Sequence, residues 1–553
     1  MKQKILTITI LLFSSISLFS QAPNWKWSKS ISGYCNITAN IVSDGNGNIY
    51  IAGYFNDSTL DMGNIILTNP DNTGYGEDIF FAKYDSSGSI LWAKQFGGGG
   101  VYDLQECQDI TIDKIGNVYL TGWFSDTITF DNIILTSSGT NGSGSFIAKF
   151  DTSGNVIWAK GLGGDMFTPY NSITTDILGN VYLTGSFKGP YISFDSDTLT
   201  GLGVNVFIAK YDSSGNIIWA KSSSGGDTGY NSYITTDKIG NSYINSAFSN
   251  DTISFDNISL YNTSGHDHFI VKYDSSGNVV WAKNGDYGFT DFIADSISNL
   301  FITGCTSVSS SMNFGNQSLN YPSYGNSDIF IFKIDTSGNV IWIKSAGGAN
   351  NETGASICAD IFGNLYLTGS FDSPSITFGA STTVINTNSL GNYLDIFVAE
   401  YDTSGSVLWA KSAGGSGNDY GSCITTDVAG NIYVSGPFSG SSVIFGTDTL
   451  YNSISPVIYT YIAKLGSTIT KIDKTLNNNL VIIYPNPTNE ILNIRNAENS
   501  ELVIYNLLGE TVLKTKCNSA FSTINVSGLA EGTYIVKVVS EKNIVTKKIC
   551  VIK

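Results

Sequence analysis

Phe207-Ile208-Ala209-Lys210-Tyr211-Asp212-Ser213-Ser214-Gly215-Asn216-Ile217-Ile218-Trp219-Ala220-Lys221 is two β-rich runs joined by a turn of the form Asp-x-x-Gly-Asn. In such a turn Gly takes positive φ without steric cost and Asp bonds its own backbone, so the stretch predicts a β-hairpin. Upstream, Ile173-Thr174-Thr175, the turn Asp176-Ile177-Leu178-Gly179-Asn180 and Val181-Tyr182-Leu183-Thr184-Gly185 predict a second hairpin of the same kind. Together they form a four-stranded antiparallel unit. No run of ten or more residues sustains helical spacing, which points to an all-β chain.

The unit recurs seven times. Its Trp stands at Trp27, Trp92, Trp158, Trp219, Trp281, Trp342 and Trp409, at spacings of 61–67 residues. The first turn starts at Asp44, Asp113, Asp176, Asp237, Asp295, Asp360 and Asp427, with Ser298 in place of Gly in the fifth copy. The F-I-A-K-Y-D landmark lies around Phe80, Phe146, Phe207, Phe269, Phe330, Phe397 and Tyr461. A fixed period of this length means stacked supersecondary units. The ends separate an open array from a ring. The chain begins with a lone Trp strand, Trp25-Lys26-Trp27-Ser28-Lys29, while the last unit stops at Tyr461-Ile462-Ala463-Lys464 without one. The orphan strand is expected to complete the last sheet, closing a seven-bladed β-propeller and removing the edges of an open array.

Over 553 residues the chain has a net charge of −17, 42% hydrophobic residues and 59 Gly, which excludes a disordered or collagen-like polymer. Its acidic body repels phosphate backbones and anionic lipid heads, so no nucleic-acid partner is expected. Residues 1–20, with Lys2 and Lys4 before the apolar run Ile5–Phe13, have the layout of a signal peptide cleaved after Ser20. No later segment reaches the ~18 apolar residues of a membrane helix, so no membrane span is expected. Seven Cys are too few for a disulfide scaffold, and their pairing is left open.

The units, typified by "DIFFAKYDSSGSILWAKQFGG" and "ITIDKIGNVYLTGWF", resemble the SBBP-type β-propeller repeat family of exported bacterial proteins over about residues 24–466. That resemblance implies a fold and no chemistry. The propeller is assigned to 21–466, a polar linker to 467–479, and a small Ig-like β-sandwich to 480–553. In the last segment Tyr484-Pro485-Asn486-Pro487, Ile504-Tyr505-Asn506-Leu507-Leu508-Gly509, Gly532-Thr533-Tyr534-Ile535-Val536 and the basic pair Lys547-Lys548 resemble the type A C-terminal sorting domain of the type IX secretion system of Bacteroidetes. The resemblance implies the secretion machinery as a partner. It also implies export across the outer membrane, removal of the domain, and cargo released or attached to surface lipopolysaccharide.

Chemistry is sparse. The only His are His266 and His268, an H-x-H pair with no third ligand nearby in sequence, so no metal is assigned and a Ser-His-Asp or Cys-His set is not expected. Sialidase chemistry needs several Arg, and the single Arg is Arg495. The Asp turns differ in spacing from the quinoprotein docking motif. Asp44-Gly45-Asn46-Gly47-Asn48 lacks the sixth-position Gly and twelfth-position Glu of an EF-hand loop. No cofactor is assigned. The many acids permit a glycosidase pair, but no spacing marks any two as partners.

Because successive strands are antiparallel, both families of Asp turn fall on one face of the disc and the remaining, more variable connections on the other. That second face is the expected recognition surface, with Tyr102, Tyr170, Tyr230 and Tyr420 as ligand-binding candidates among its loop tyrosines, which also include Tyr75, Tyr324 and Tyr393. The recurrent Lys (Lys149, Lys160, Lys210, Lys221 and equivalents, with Glu400 replacing one) read as edge protection and snorkelling on outer strands. The expected function is a secreted or cell-surface, non-catalytic propeller that binds extracellular glycan or protein in adhesion. Alternatives are a carbohydrate-active enzyme using loop carboxylates and a structural surface-layer component. A central pair of carboxylates flanked by aromatics would favour the enzyme.

Overall fold

The computed structural model describes residues 22–551 apart from 37–40, 71–74, 99–102, 140–141, 167–170, 226–231, 286–287, 296, 307–310, 316, 323, 388–392, 453–457, 467–481, 485–487, 496, 507–509, 520 and 540–543. The expected signal peptide and the whole of the expected linker therefore lie outside the described residues. Among the described residues the chain is all-β, without helices. It divides into two compact units, Met1–Thr468 and Ile469–Lys553.

In the first unit each repeat contributes four antiparallel strands. In the third they are Ser172–Thr175, the start of Val181–Phe194, Val204–Tyr211 and Ile217–Ser222, with Leu183 opposite Ala209 and Ala209 opposite Ala220. Every first strand lies against the first strand of the next repeat, and Cys423–Thr426 of the last against Ile41–Ser43 of the first. The N-terminal strand Trp25–Ile31 pairs antiparallel with Tyr459–Leu465, with Trp27 opposite Lys464, so the sheet of the last repeat contains both ends of the unit. The apolar cores sit between successive sheets. Ile49, Ile51 and Phe80 of the first repeat share one with Tyr433 and Ile462 of the last. Burying both faces of these strands explains why they read as continuous apolar runs.

Adjacent repeats are latched by one recurring device. Trp219 Nε1 and Lys210 Nζ both donate to the carbonyl of Ser275 in the next repeat's turn, at 3.3 and 3.0 Å. Trp158 with Lys149 on Ser213, Trp281 with Lys272 on Thr336, and Trp27 with Lys464 on Ser86 do the same. The Trp ring lies on the turn glycine. At Gly277, where φ is +84°, an added Cβ would sit 2.9 Å from Trp219 Cδ2, so both the backbone and the ring demand glycine. Lys210 Nζ also stands 4.9 Å from the centroid of the Tyr182 ring. This corrects the sequence expectation for the F-I-A-K lysines. Lys149, Lys210 and Lys272 are buried on third strands and tie repeats together, so they protect no edge.

A second correction concerns the connection between second and third strands. It is not a free loop. In most repeats it contains a hairpin, such as Thr127–Phe130 with Ile133–Thr136 or Thr252–Phe255 with Ile258–Tyr261. The apolar residue before the tip is buried (Phe130, Phe194, Phe255, Phe314, Phe378, Phe445), and the next residue, Asp or Gly, has φ between +48° and +65°. That left-handed position suits the tight turn. Each hairpin extends the fourth strand of the preceding repeat, as in Gly163 opposite Ser193, Gly285 opposite Phe314 and Gly414 opposite Ile444.

The second unit has two antiparallel sheets. Ile482–Tyr484, Ile491–Arg495 and Phe521–Asn525 form one, and Thr511–Cys517, Ser500–Tyr505, Gly532–Val539 and Ile544–Val551 the other. Leu492 and Ile494 share a core with Leu502, Ile504, Val536, Val538 and Ile549.

Candidate functional site

The Asp turns come first because they look most like a site, and their oxygens are already used. Asp176 Oδ1 accepts the amides of Leu178 and Asn180 at 2.9 Å, while Oδ2 accepts Asn180 Nδ2 at 2.7 Å and the Tyr182 hydroxyl at 3.2 Å. Tyr182 also reaches Gly240 O in the next repeat, and Tyr433 reaches Gly47 O across the ends of the ring. These turns hold the ring together. Their carboxylates are structural acceptors.

At the centre of the ring, the residue four before the turn Asp is Asp109, Ser172, Tyr233, Asp291, Ser356 and Cys423 in successive repeats from the second. Asp109 Oδ2 accepts Ser172 Oγ at 2.7 Å and the Ile173 amide at 2.9 Å. Asp291 accepts the amides of Phe292 and Ile357 at 2.8 and 2.9 Å. Burial pushes the Asp291 carboxyl up to about 6. Its hydrogen bonds oppose that shift, and the charge of Asp109 adds to it. The two acids thus sense each other, yet each is engaged with the backbone of the following repeat. Lining up the copies on their turn Asp would have revealed this polar position. Reading for motif spacing alone did not.

On the face opposite the Asp turns, Tyr420 is 36% exposed and its backbone is fixed by Pro437 O and by the Tyr461 hydroxyl. Tyr75, Tyr324 and Tyr393 on the same face are 67%, 41% and 42% exposed. Tyr102, Tyr170 and Tyr230 lie outside the described residues. His266 and His268 stack edge to face at 5.6 Å, and His268 packs on Phe289. Burial pulls the His268 imidazole down to about 4, so it stays neutral at ordinary pH. Among the described residues no three His, Cys, Asp or Glu converge. The described cysteines Cys35, Cys305, Cys358 and Cys517 are free thiols.

In the second unit, Tyr484 ends a strand opposite Asn493, while Pro485, Asn486 and Pro487 lie outside the described residues. Gly532, with φ +152°, opens the strand Gly532–Val539. Buried Tyr534 donates its hydroxyl to Ala530 O at 2.8 Å. Lys547 and Lys548 sit on Ile544–Val551 opposite Val536 and Ile535. Lys547 Nζ is 3.4 Å from Ile483 O, which links the basic end to the strand that opens the unit.

Comparison with known proteins agrees with this division. The model of the secretion system C-terminal sorting domain matches residues 482–553, and that of the beta-propeller repeat, SBBP, matches residues 91–123. The chain therefore combines a β-propeller fold with a sorting tail that marks it for type IX export to the cell surface or the extracellular space. An uncharacterised WD repeat-containing protein, L264 of Acanthamoeba polyphaga mimivirus, is 24% identical over 506 residues, covering 75% of this chain and 35% of its own. The chain thus spans about a third of that relative's length. Two solved structures are also similar. A protein of unknown function from Bacteroides caccae has 11% identity, coverage of 60% and 89% of the two chains, and a TM-score of 0.31. PorZ, an essential bacterial surface component of the type IX secretion system of Porphyromonas gingivalis, has 9% identity, coverage of 95% and 100%, and a TM-score of 0.16. At these TM-scores neither likeness bears on function. No helix among the described residues is long and apolar enough to cross a membrane.

Proposed function

We propose that the mature chain is a non-catalytic, seven-bladed propeller over 21–466, carried out of the cell by an Ig-like sorting sandwich over 480–553, that binds extracellular glycan or protein in adhesion. The observation that carries this reading is the asymmetry of the ring's two faces. One face is tied up in Asp, Asn, Tyr and Lys contacts between repeats, whereas the other leaves Tyr75, Tyr324, Tyr393 and Tyr420 exposed on a rigid scaffold. Exposed tyrosines present flat apolar area with a polar tip at low entropic cost, which suits stacking on sugars or protein. The acids Asp109 and Asp291 favour an enzyme less, since both are bound to backbone amides.

A glycan array and a pull-down from culture matrix, run with the mature protein and with the Tyr75, Tyr324, Tyr393 and Tyr420→Ala variant, test the proposal. Binding that falls at least tenfold in the variant supports it. Equal binding by both proteins, or turnover of a bound glycan, overturns it. Retention of the chain inside the cell on deleting 480–553 tests the address.

A further inference from the structure

The third strands of four repeats begin at or directly after a buried Asp: Asp78, Asp267, Asp328 and Asp395. Glycines at the ends of the neighbouring fourth strands make room for these carboxylates. A Cβ at Gly97, Gly347 or Gly414 would lie 1.9–2.0 Å from Oδ1 of Asp78, Asp328 or Asp395. What meets each carboxylate differs. Asp78 receives Gln95 Nε2 at 2.5 Å, and Asp267 receives Asn284 Nδ2 at 2.7 Å together with the amides and hydroxyls of Thr263 and Ser264. Both amide side chains follow the W-A-K lysine. In the fifth and sixth repeats that position holds Ser345 and Ser412, whose hydroxyls are given to Pro322 O and Ile385 O.

Instead of an amide, the next repeat brings a second carboxylate, Glu352 beside Asp328 and Asp419 beside Asp395, both 0% exposed. Glu352 is partly compensated by the Gly348 amide at 2.8 Å and by the Ser373 hydroxyl. Asp395 accepts the Thr387 amide and hydroxyl at 2.5 and 3.0 Å. Asp419 is different. The amides of Gly415 and Ser439 lie near its carboxylate and favour its charge, but the Ser439 amide is given to Asn418 O at 2.9 Å, and neither carboxylate oxygen makes a hydrogen bond of good geometry. Its backbone amide donates to Leu394 O at 2.8 Å, which sets Asp419 beside Asp395. Among the described residues no Lys or Arg forms an ion pair with either acid.

A buried carboxylate with neither oxygen well hydrogen-bonded, next to a second carboxylate, is untenable as two bare charges and calls for a cation or a shared proton between them. We propose that Asp395 and Asp419 hold a hard divalent cation of the calcium class at the junction of the sixth and seventh repeats. The donor set is oxygen only, without His or thiolate, which suits calcium over zinc or copper. Two carboxylates supply up to four of the six to eight oxygens calcium takes, which places the affinity in the ~10⁻⁴–10⁻³ M range of extracellular modules. The site adjoins Tyr420, so the ion would stiffen one edge of the loop face.

Thermal unfolding of the full-length mature protein at pH 7.5, in EDTA and with CaCl₂ up to ~10 mM, tests this. A saturable rise of roughly 2–4 °C is expected in the wild type, with no rise in Asp419→Asn or Asp395→Asn. Asp419→Asn also removes the uncompensated charge, so it should melt at or above the wild type in EDTA, which guards against simple misfolding of the variant. No calcium response in the wild type, or an equal response in both variants, overturns the site. If the wild type ignores calcium but gains stability as the pH is lowered to ~6, and Asp419→Asn does not, the pair shares a proton and the cation assignment is wrong.

Discussion

The ordinary junctions between repeats and the junction of the sixth repeat with the last, whose sheet joins the two chain ends, solve one problem in two ways. At four other junctions, including that of Trp27 and Lys464 on Ser86, a Trp and a Lys converge on a turn carbonyl of the next repeat, as Trp219 and Lys210 do on Ser275. The last repeat has no such turn, because its fourth strand is Trp25–Ile31 and the chain is broken between the two strands. There Glu400 replaces the Lys. Trp409 Nε1 donates to its carboxylate, Tyr366 donates to it at 3.1 Å, and Lys411 reaches Pro23 O at 2.9 Å while the Gly466 amide reaches Asn24 O. With the acceptor carbonyl gone, a Lys would be a buried cation without a partner and the indole N–H an unmet donor. A carboxylate meets that donor. A repeat's departure from its own pattern here marks where covalent continuity fails.

The harshest way to break the comparison is to delete residues 21–31 from the mature chain. Tyr459–Leu465 would become an open edge and the last core would lose its cover, so loss of cooperative unfolding and aggregation on size exclusion are expected. Glu400→Lys should come next. Restoring the pattern at the one junction without a turn should cost about 3 kcal/mol in urea unfolding, because it buries an unpartnered ammonium. A neutral or stabilising result would mean that the junction adapts. Trp219→Ala at an ordinary junction removes a half-buried ring and one hydrogen bond, for about 2–3 kcal/mol by the same measurement.

The smallest effect expected is that of pH on the central acids. Asp291 is held at about 6 against the ~3.9 of an unfolded Asp, so between these values the native chain keeps a proton that the unfolded chain has lost. The stability that this one acid contributes is therefore fully present below pH ~4, is lost as the pH rises to ~6, and stays absent above that. Asp109, Cys358 and Cys423 are the titratable groups facing the site. Asp291→Asn should flatten the profile by up to ~2 kcal/mol, read from urea unfolding between pH 4 and 8. An unchanged slope would assign the pH dependence to other acids.

Much of the fold was legible because its signals are local. The Asp-x-x-Gly-Asn turns around Asp176 and Asp212 need only their own backbone, and their hydrogen bonds match that reading. The x-I-x-F-[D/G] hairpins, visible at Ile128-Thr129-Phe130-Asp131 and Ile253-Ser254-Phe255-Asp256, were equally local but lay inside a connection read as variable. Lys210 was misplaced because its acceptor, Ser275, lies a full repeat away. The site was less legible still. The exposure of Tyr420 and the pairing of Asp395 with Asp419 depend on two strands meeting side by side, and no spacing along the chain records that meeting.

By itself the sequence determined the repeat, the β character of its strands, the chemistry of its turns and the sorting tail, since each rests on periodicity or on residues within a few positions of one another. Only the tertiary structure decided which carbonyl each Lys and Trp would share, which hairpin would extend which sheet, and which acids would be buried together. Those outcomes depend on distances between residues some sixty positions apart or at opposite ends of the ring, where burial and the desolvation of charge select the partner.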